Sequence, residues 1–315
     1  MTDELKSNYD VVVVGGGAAG LNGALVLARV RRSVLVIDAG APRNATAEGV
    51  HGLLAHEGVS PAELLKLGRA EVRRYGGEVV NGEVTTVAAG DGFVVTLGDA
   101  RSVRARRLLV ASGSVDELPN IEGLRERWGR DVLHCPYCHG WEVRDQAIGV
   151  LATGPMSVQQ ALMFRQLSPD VRYFSHTGWN PTEEQAAQLA ASDIPVVSGE
   201  VTALQVDEDR LVGVRLRDGT LIARDAVTVR TRLLVRAGFL TGLGLRPAQH
   251  PSGLGEHIPA DAGGRTEIPG VWVAGNLANP AAQVGAAAAS GALAAAAING
   301  DLVAEDTHQL IVARQ

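Results

Sequence analysis

Apolar and polar residues alternate along the chain in two periods, which predict strands and helices in turn. Short runs rich in β-branched residues predict strands at 10–14, 33–37, 84–87, 93–97, 102–106, 108–113, 147–151, 171–174 and 269–276. Apolar positions at helical spacing predict helices at 21–28, 63–75, 157–167 and 283–298. This alternation of the two kinds of element is typical of an α/β fold.

The length and the order of the elements predict two domains. A chain of 315 residues is long enough for both. The pattern changes near Pro119, and a second strand-turn-helix series then runs to residue 245. After Arg246, a loop rich in proline and glycine leads to a strand that closes on Gly275 and to a small-residue helix. We therefore predict a discontinuous domain, 1–117 with 246–315, and an inserted domain, 118–245.

The first predicted strand leads directly into a glycine-rich turn at 15–20, Gly-Gly-Gly-Ala-Ala-Gly. Gly15 permits a tight turn, Gly17 lets a pyrophosphate approach the backbone, and Gly20 lets the next helix pack closely on the strand. The second strand ends at Asp38, whose carboxylate can accept the ribose hydroxyls of an adenosine. A glycine-rich turn without a ligand is the alternative, but the surrounding strand, helix and acid favour dinucleotide binding.

The two cysteines of the chain lie three residues apart in the run 134–141, His-Cys-Pro-Tyr-Cys-His-Gly-Trp. Thiols at this spacing can close a small disulfide ring, and the partial positive charge at a helix start favours a thiolate. Two buried small residues and half of a zinc site are the alternatives. Zinc usually takes a second Cys or His pair at ligand spacing, and none follows His134 and His139. We therefore predict a redox-active pair, Cys135 and Cys138, and no bound metal.

Composition narrows the class of protein and its partners. The chain is 46% hydrophobic and 20% charged, and its net charge of −6 argues against nucleic acid or an anionic membrane surface. Residues 1–9 are polar, without a signal-peptide core, and the alanine-rich stretch 286–298 is too short to span a bilayer. Because both cysteines lie in one motif, we expect no structural disulfides and predict a cytoplasmic protein without membrane contact.

An irregular segment at 40–62 carries two histidines, His51 and His56. Loops on such scaffolds often hold site residues, although a solvent-exposed histidine is the commoner outcome. The sequence assigns no role to His51, or to His134 beside the first cysteine.

The order of these motifs resembles that of the low-molecular-weight thioredoxin reductases over essentially the whole chain. The matching motifs include Leu-Leu-Val-Ala-Ser-Gly at 108–113, the Cys-x-x-Cys, and Gly-Val-Trp-Val-Ala-Gly-Asn at 270–276. The resemblance implies two Rossmann-like, three-layer ββα domains, FAD in the discontinuous domain, cysteines that exchange electrons with its isoalloxazine, and a homodimer. The positions that it assigns to FAD binding are Gly15, Gly17, Ala18, Ala19, Gly20, Asp38, Gly113, Gly275, Asn276 and Gln283.

The second nucleotide site departs from the family's pattern in both of its halves. Where the family has another Gly-x-Gly-x-x-Ala turn, residues 152–157 read Ala-Thr-Gly-Pro-Met-Ser. Ala152 would be strained at positive φ, and Pro155 has no amide to offer a pyrophosphate. Residues 175–180 contain neither the family's arginine pair for a 2′-phosphate nor an acid for a 2′-hydroxyl. A diverged site that still works is the alternative, and we predict that NAD(P)H binding is lost.

Two further positions differ from the family. Asn276 replaces the usual aspartate, and its carbonyl oxygen can still accept a hydrogen bond, so FAD binding is weakened at most. His139 replaces an acid, and a histidine there can move a proton to or from a thiolate. In this residue and its degraded nicotinamide site, the chain is similar to the flavin-dependent dithiol oxidases, which close disulfides in sulfur-containing secondary metabolites and pass the electrons to oxygen. The alternative for His139 is an ordinary polar residue at a helix start.

These features together predict an FAD-dependent enzyme that interconverts a dithiol and a disulfide. We assign substrate exchange to Cys135, contact with the flavin to Cys138, and acid–base catalysis to His139. The substrate is a small-molecule dithiol or disulfide or a thioredoxin-like protein, and the sequence leaves the direction open. The alternatives are a thioredoxin-disulfide reductase fed by NADPH, ferredoxin or another flavin, and a non-catalytic FAD and thiol redox sensor.

Overall fold

The structure is a computed structural model that describes residues 5–315, so the first four residues of the polar N-terminal stretch lie outside it. The α-helices of the described residues are α1 Ala18–Arg29, α2 Pro61–Arg74, α3 Pro136–His139, α4 Ser157–Phe164, α5 Glu183–Ala191 and α6 Val284–Val312. Short 3-10 helices cover Gly238–Leu243 and Gly275–Leu277.

The strands of the same residues are short, and the predicted runs at 102–106 and 108–113 join into one of them, β6. They are β1 Asn8–Val14, β2 Val34–Asp38, β3 Glu78–Asn81, β4 Val84–Gly90, β5 Gly92–Leu97, β6 Ser102–Val110, β7 Ser114–Glu117, β8 Val132–Leu133, β9 Ile148–Leu151, β10 Val171–Phe174, β11 Val196–Val197, β12 Val201–Asp207, β13 Arg210–Leu216, β14 Leu221–Ile222, β15 Ala226–Val229, β16 Arg232–Val235, β17 Ala248–Gln249, β18 Glu256–His257 and β19 Val271–Val273.

Contacts between residues divide the chain into two compact units. The first unit contains the described residues up to Ala45, Pro61–Val115 and Leu233–Gln315, and the second contains Thr46–Ser60 and Asp116–Arg232. From the sequence, we predicted the domain boundaries at 117/118 and 245/246. The second boundary differs because residues 233–245 bring Leu240 and Leu245 into the core of the first unit. The segment 46–60, which we expected in the first domain, groups with the second unit.

The first unit is built on a seven-stranded sheet in the order β3-β2-β1-β6-β5-β4, with β19 also paired to β6. Strands β3, β2, β1, β6 and β19 run parallel, and β5 and β4 continue the sheet antiparallel. Val11 and Val13 of β1 pack with α1, α2 and α6, whereas Val12 and Val14 enter the cluster on the opposite face. Because both faces are covered, these strands are continuous apolar runs.

The second unit has three layers. A five-stranded parallel sheet, β11-β10-β9-β15-β8, packs α4 and α5 on one face and the antiparallel sheet β12-β13-β14 on the other. The carboxyl ends of β8 and β9 therefore meet at one edge of the parallel sheet. The cysteine segment follows β8 and the turn 152–157 follows β9, so both lie at this edge. The predicted α/β fold with two Rossmann-like domains is confirmed.

The C-terminal helix α6 has 29 residues, where the sequence predicted a helix at 283–298. The helix extends beyond the stretch 286–298 that we expected to be too short to span a bilayer, and by length and composition alone it could cross a membrane. Its inner face nevertheless packs into the core of the first unit through Ala294 and Ile298. A Cβ atom at Gly291 would clash with the carbonyl of Ala19, so only glycine lets α6 approach α1 this closely. Its last turns carry acids that pair with Arg106 and Arg107 of β6: Asp301, Glu305 and Asp306. In this unit α6 is a core helix.

Candidate active site

The turn between β1 and α1 has the shape that the glycine fingerprint predicts. Gly15 has φ +105°, and a side chain there would also clash with the carbonyl of Ala111. A Cβ atom at Gly20 would clash with the carbonyl of Gly15, so the helix lies directly on the turn. At Gly17 a Cβ atom would meet nothing within 4 Å, which leaves open space where the helix begins. Amides at such a helix start suit the pyrophosphate of a dinucleotide.

Asp38 is the last residue of β2 and is buried beside this turn. Nη2 of Arg69 donates to its Oδ2 at 2.7 Å, and the amide of Gly40 donates to its Oδ1 at 3.1 Å. A Cβ atom at Gly16 would lie 2.6 Å from the same carboxylate, so the second glycine of the turn makes room for it. Two of about four lone-pair positions are used, and those remaining can accept ribose hydroxyls. The sequence did not indicate Arg69.

The strand β19 brings a second glycine to the same edge of the sheet. Gly275 has φ +66°, and a Cβ atom there would lie 2.9 Å from that of Ala19, so the fingerprint and the closing strand meet. Its amide donates to Oγ of Ser290 on α6 at 2.9 Å. Gln283 is the N-cap residue of α6, and its side chain makes no capping hydrogen bond. Gly113 lies in the turn after β6, the strand that pairs with β19.

Asn276 has a structural reason to replace the usual aspartate. Its Nδ2 donates to the carbonyls of Asn279, Pro280 and Ala282 at 3.2, 3.3 and 2.9 Å. An ionised aspartate has no hydrogen to donate and could not close this loop in the same way. The amide oxygen of Asn276 is the atom that can still face a cofactor. Together, the open turn, the fixed carboxylate and this loop fit the adenosine and ribityl-phosphate parts of FAD.

The two cysteines lie on a single helical turn. Cys135 is the N-cap residue of α3, and the amides of Cys138 and His139 donate to its carbonyl at 3.3 and 3.2 Å. Pro136 occupies the first helical position, where its missing N–H costs nothing. Both cysteine side chains are partly buried, and Tyr137 between them is exposed. The turn holds Cys135 and Cys138 in the i and i+3 relation, on one side of α3.

His139 is half-buried directly after the second cysteine. Both of its ring nitrogens are buried, and neither has a hydrogen-bond partner among residues 5–315. Burial lowers the pKa of His139 below 6.5; the carboxylate of Glu142 opposes this shift, and the charge of His51 adds to it. The ring is therefore neutral near pH 7, with one nitrogen able to accept a proton. A polar residue at a helix end ordinarily keeps its ring nitrogens in solvent, whereas both of these are buried.

A buried glutamine, which the sequence analysis did not identify, anchors the segment that leads to the cysteines. Nε2 of Gln160 on α4 donates to the carbonyl of His134 at 2.8 Å and to Oγ1 of Thr228 at 2.6 Å. The ring of His134 stacks on Trp128 with 5.6 Å between centroids. His134 thus has a packing role at the sheet edge. No motif marks Gln160, because its partners lie far away in the sequence.

In the turn after β9, a side chain of the turn itself accepts hydrogen bonds from the backbone amides. Oγ of the buried Ser157 accepts from the amides of Thr153 at 3.1 Å and Gly154 at 3.3 Å. These are the donors that a pyrophosphate would use, and Pro155 has none to add. Ala152 does not have positive φ, so the strain that we expected at this residue is absent. After β10, Nδ1 of His176 accepts from the amide of Val201 at 3.1 Å.

In the described part of the chain, no three His, Cys, Asp or Glu side chains come together as a set of metal ligands.

Comparison with known proteins agrees with this geometry. Residues 9–296 match the family described as pyridine nucleotide-disulphide oxidoreductase. The chain is 30% identical to the thioredoxin reductase tcpT of Claviceps purpurea over 288 residues, which are 85% of this chain and 86% of that protein. It is similar to the crystal structure of HlmI, with 46% identity, a TM-score of 0.91, and coverage of 98% of this chain and 97% of that one. An oxidoreductase from Agrobacterium tumefaciens has 35% identity, a TM-score of 0.88, and coverage of 94% and 99%.

Both the family match and the relatives span most of the chain, so the resemblance seen in the motifs is confirmed. The cofactor is FAD, and the reaction type is disulfide oxidoreduction. The chain belongs to the pyridine nucleotide-disulphide oxidoreductase family, as a thioredoxin reductase-like flavoenzyme.

Proposed function

We propose that the protein oxidises a small dithiol to its disulfide through Cys135 and Cys138 and does not use NADPH. The observation that carries this proposal is the turn at 152–157, whose amides are bonded to Ser157. Residues 175–180 add no arginine for the 2′-phosphate of NADPH. An enzyme that cannot take electrons from a nicotinamide is suited to take them from its thiol substrate.

In the first half-reaction, a substrate thiolate attacks Cys135 in the oxidised Cys135–Cys138 pair, and Cys138 leaves as a thiolate. The second substrate thiol then attacks the mixed disulfide at the substrate sulfur, which releases the substrate disulfide and leaves both cysteines reduced. Substrate loses two electrons and two protons, and the cysteine pair gains them. Bound FAD would supply the acceptor for these two electrons, with dioxygen as the final oxidant and hydrogen peroxide as its two-electron product.

His139 acts as the base in this proposal. The unperturbed pKa of a thiol is ~8.5, so little thiolate is present at neutral pH. The ring of His139 is neutral there, and its buried nitrogens have no hydrogen-bond partner among the described residues, so it can accept a thiol proton or hydrogen-bond a thiolate. The pair Gln160 and His134 holds the start of the cysteine segment in place beside it.

The test is an anaerobic titration of the holoenzyme with dithiothreitol, followed by air. We expect stoichiometric loss of the oxidised flavin absorbance and then its return with one hydrogen peroxide per dithiol. The monothiol 2-mercaptoethanol is the matched control, because it lacks the second thiol that resolves the mixed disulfide. Flavin that stays oxidised with dithiol but bleaches with reduced ferredoxin, followed by reduction of thioredoxin disulfide, would show a reductase instead.

We also propose a cytoplasmic homodimer that contacts through α6. Of the five large apolar side chains of this helix that are exposed, all but Val312 share one side: Leu293, Val303, Leu310 and Ile311. At 3.6 residues per turn they lie within an arc of roughly 100°, which is an apolar stripe that favours association. A second copy of the chain would cover it.

For the dimer, we expect sedimentation to give a mass of twice the 32.9 kDa of one chain. The double variant Leu310→Lys/Val303→Glu should be monomeric and should retain FAD. The substitution Gln309→Lys, at an exposed polar position of the same helix, is the control for added surface charge. A wild-type monomer at all concentrations would contradict the dimer.

A further inference from the structure

A partly buried arginine, Arg230, directly follows β15 at the carboxyl edge of the parallel sheet in the second unit. Strand β15 lies between β9 and β8 in this sheet. The hydroxyl of Thr153, in the turn after β9, donates to the carbonyl of Arg230 at 2.7 Å. The arginine is therefore held between the turn after β9 and the cysteine segment that follows β8.

The strand register brings Arg230 level with the first cysteine. Thr228 of β15 pairs with the last residue of β8, and two residues further along each chain are Arg230 and Cys135. Neighbouring strands lie about 4.8 Å apart. Beyond the last pair the alignment is kept by Gln160, whose Nε2 donates to Oγ1 of Thr228 and to the carbonyl of His134. The backbone of Arg230 thus lies one strand away from the start of the cysteine turn.

The side chain of Arg230 continues the face of β15 that α4 covers. Ala226 packs in the cluster that contains α4, and Thr228 hydrogen-bonds a side chain of that helix. Val227 and Val229 pack against the antiparallel sheet on the opposite face. Because side chains alternate along a strand, the next one on the α4 side is that of Arg230. The cysteine helix α3 also packs against α4, so the arginine and the cysteines share this side of the sheet.

The guanidinium of Arg230 makes no hydrogen bond or ion pair with any of residues 5–315. Burial lowers the pKa of Arg230, and no neighbouring carboxylate opposes that shift. Two buried arginines of the same unit do have acidic partners: Arg127 pairs with Asp209 at 2.7 Å, and Arg224 pairs with Asp170 at 2.7 Å. Burying a charge without a partner is costly, and a guanidinium suits two parallel hydrogen bonds to a carboxylate. Arg230 is therefore suited to an anion that the chain itself does not supply.

We propose that Arg230 binds a carboxylate of the dithiol substrate while the substrate thiol reacts at Cys135. The proposal rests on the function proposed above, which assigns substrate exchange to Cys135. Nucleotide phosphates are the other oxyanions that an arginine here could bind, but Ser157 already accepts from the amides of the adjoining turn. The substrate class is accordingly an anionic dithiol.

The experiment compares dihydrolipoate with dihydrolipoamide, two dithiols that differ in a carboxylate and a neutral amide, in anaerobic stopped-flow reduction of the holoenzyme flavin. We expect dihydrolipoate to half-saturate the wild type at the lower concentration. Arg230→Gln should raise that concentration about tenfold and leave the value for dihydrolipoamide unchanged, because one charge-assisted contact is lost. Arg230→Lys should recover part of the loss, since it keeps the charge without the planar fork.

The matched control is Arg232→Gln, which removes the same charge from an exposed arginine that pairs with Glu117 at 3.5 Å. It should leave the half-saturating concentrations of both dithiols unchanged. Equal half-saturation by the two dithiols in the wild type, or an equal change for both in Arg230→Gln, would overturn the proposal. Competition by NADP+ that disappears in Arg230→Gln would assign the arginine to nucleotide phosphates, and would also overturn it.

Calorimetric binding of lipoate and lipoamide to the oxidised holoenzyme tests Arg230 without any flavin reduction. Lipoate should bind more tightly than lipoamide, and Arg230→Gln should remove the difference. Failure of both dithiols to reduce the flavin would count against the proposed function, whereas equal binding of lipoate and lipoamide would count against the role of Arg230.

Discussion

NADPH at micromolar concentration should leave the bound flavin oxidised for times in which a dithiol reduces it completely. Ser157 already bonds the amides of Thr153 and Gly154, Pro155 has no amide, and residues 175–180 have no arginine. Loss of two or three charge-assisted contacts, at ~1.5–3 kcal/mol each, weakens binding by several orders of magnitude. Anaerobic stopped-flow absorbance of the flavin, with NADPH and with NADH, measures this directly.

Dithionite is the positive control in that experiment, because it reduces accessible flavin without a nucleotide site. Fast bleaching by micromolar NADPH would mean that the turn after β9 opens to admit the cofactor. The proposal that the protein lacks an NADPH site would then be wrong, and the main support for an oxidase would be lost.

Replacing His139 with alanine should slow dithiol-driven flavin reduction by ~10²-fold while FAD stays bound. The pKa of His139 is lowered by burial, so the neutral base is present above this lowered value and is lost as pH falls through it. Free substrate thiolate becomes abundant only near pH ~8.5. The defect should therefore be greatest between the lowered histidine pKa and the thiol pKa, and should diminish above it. Stopped-flow rates between pH 6 and pH 9, a range chosen to bracket both groups, test this dependence.

Cys138→Ser sets the lower limit for this comparison, since it removes the sulfur that completes the disulfide and should abolish dithiol turnover. His56→Ala, in an exposed loop position, should keep the wild-type rate. Equal rates for wild type and His139→Ala across the pH range would reduce His139 to a polar helix-start residue. The case for an oxidase would then depend on the nicotinamide site alone.

Local features of this protein could be derived from its sequence because the physical constraint acts over a few residues. The turn at 15–20 needs glycine where φ is positive and where α1 lies on the backbone, and those requirements are visible in the residue types. The cysteine spacing likewise defines a single helical turn. The short strands β12–β16 were not predicted, because two to seven residues without a clear period carry little signal.

The remaining features could not be derived from the sequence, because they depend on contacts between residues far apart in the chain. The length of α6 was underestimated because its charged last turns do not continue the small-residue pattern; their acids are stabilised by Arg106 and Arg107, almost 200 residues earlier. The boundary near residue 233 depends on where Leu240 and Leu245 are buried, which no local pattern records.

The sequence by itself determined the α/β class, the glycine turn with Asp38, and the cysteine pair followed by a histidine, since each follows from the types and spacing of neighbouring residues. Only the tertiary structure decided that Arg69 holds Asp38 and that Ser157 bonds the amides of the second turn. It also decided that the nitrogens of His139 are buried, with no hydrogen-bond partner in the part of the chain that the structure describes. It also brought His51 to Glu142 from 91 positions away in the sequence. Hydrogen bonds and burial depend on distance in space, and the chain reveals that distance only after it has folded.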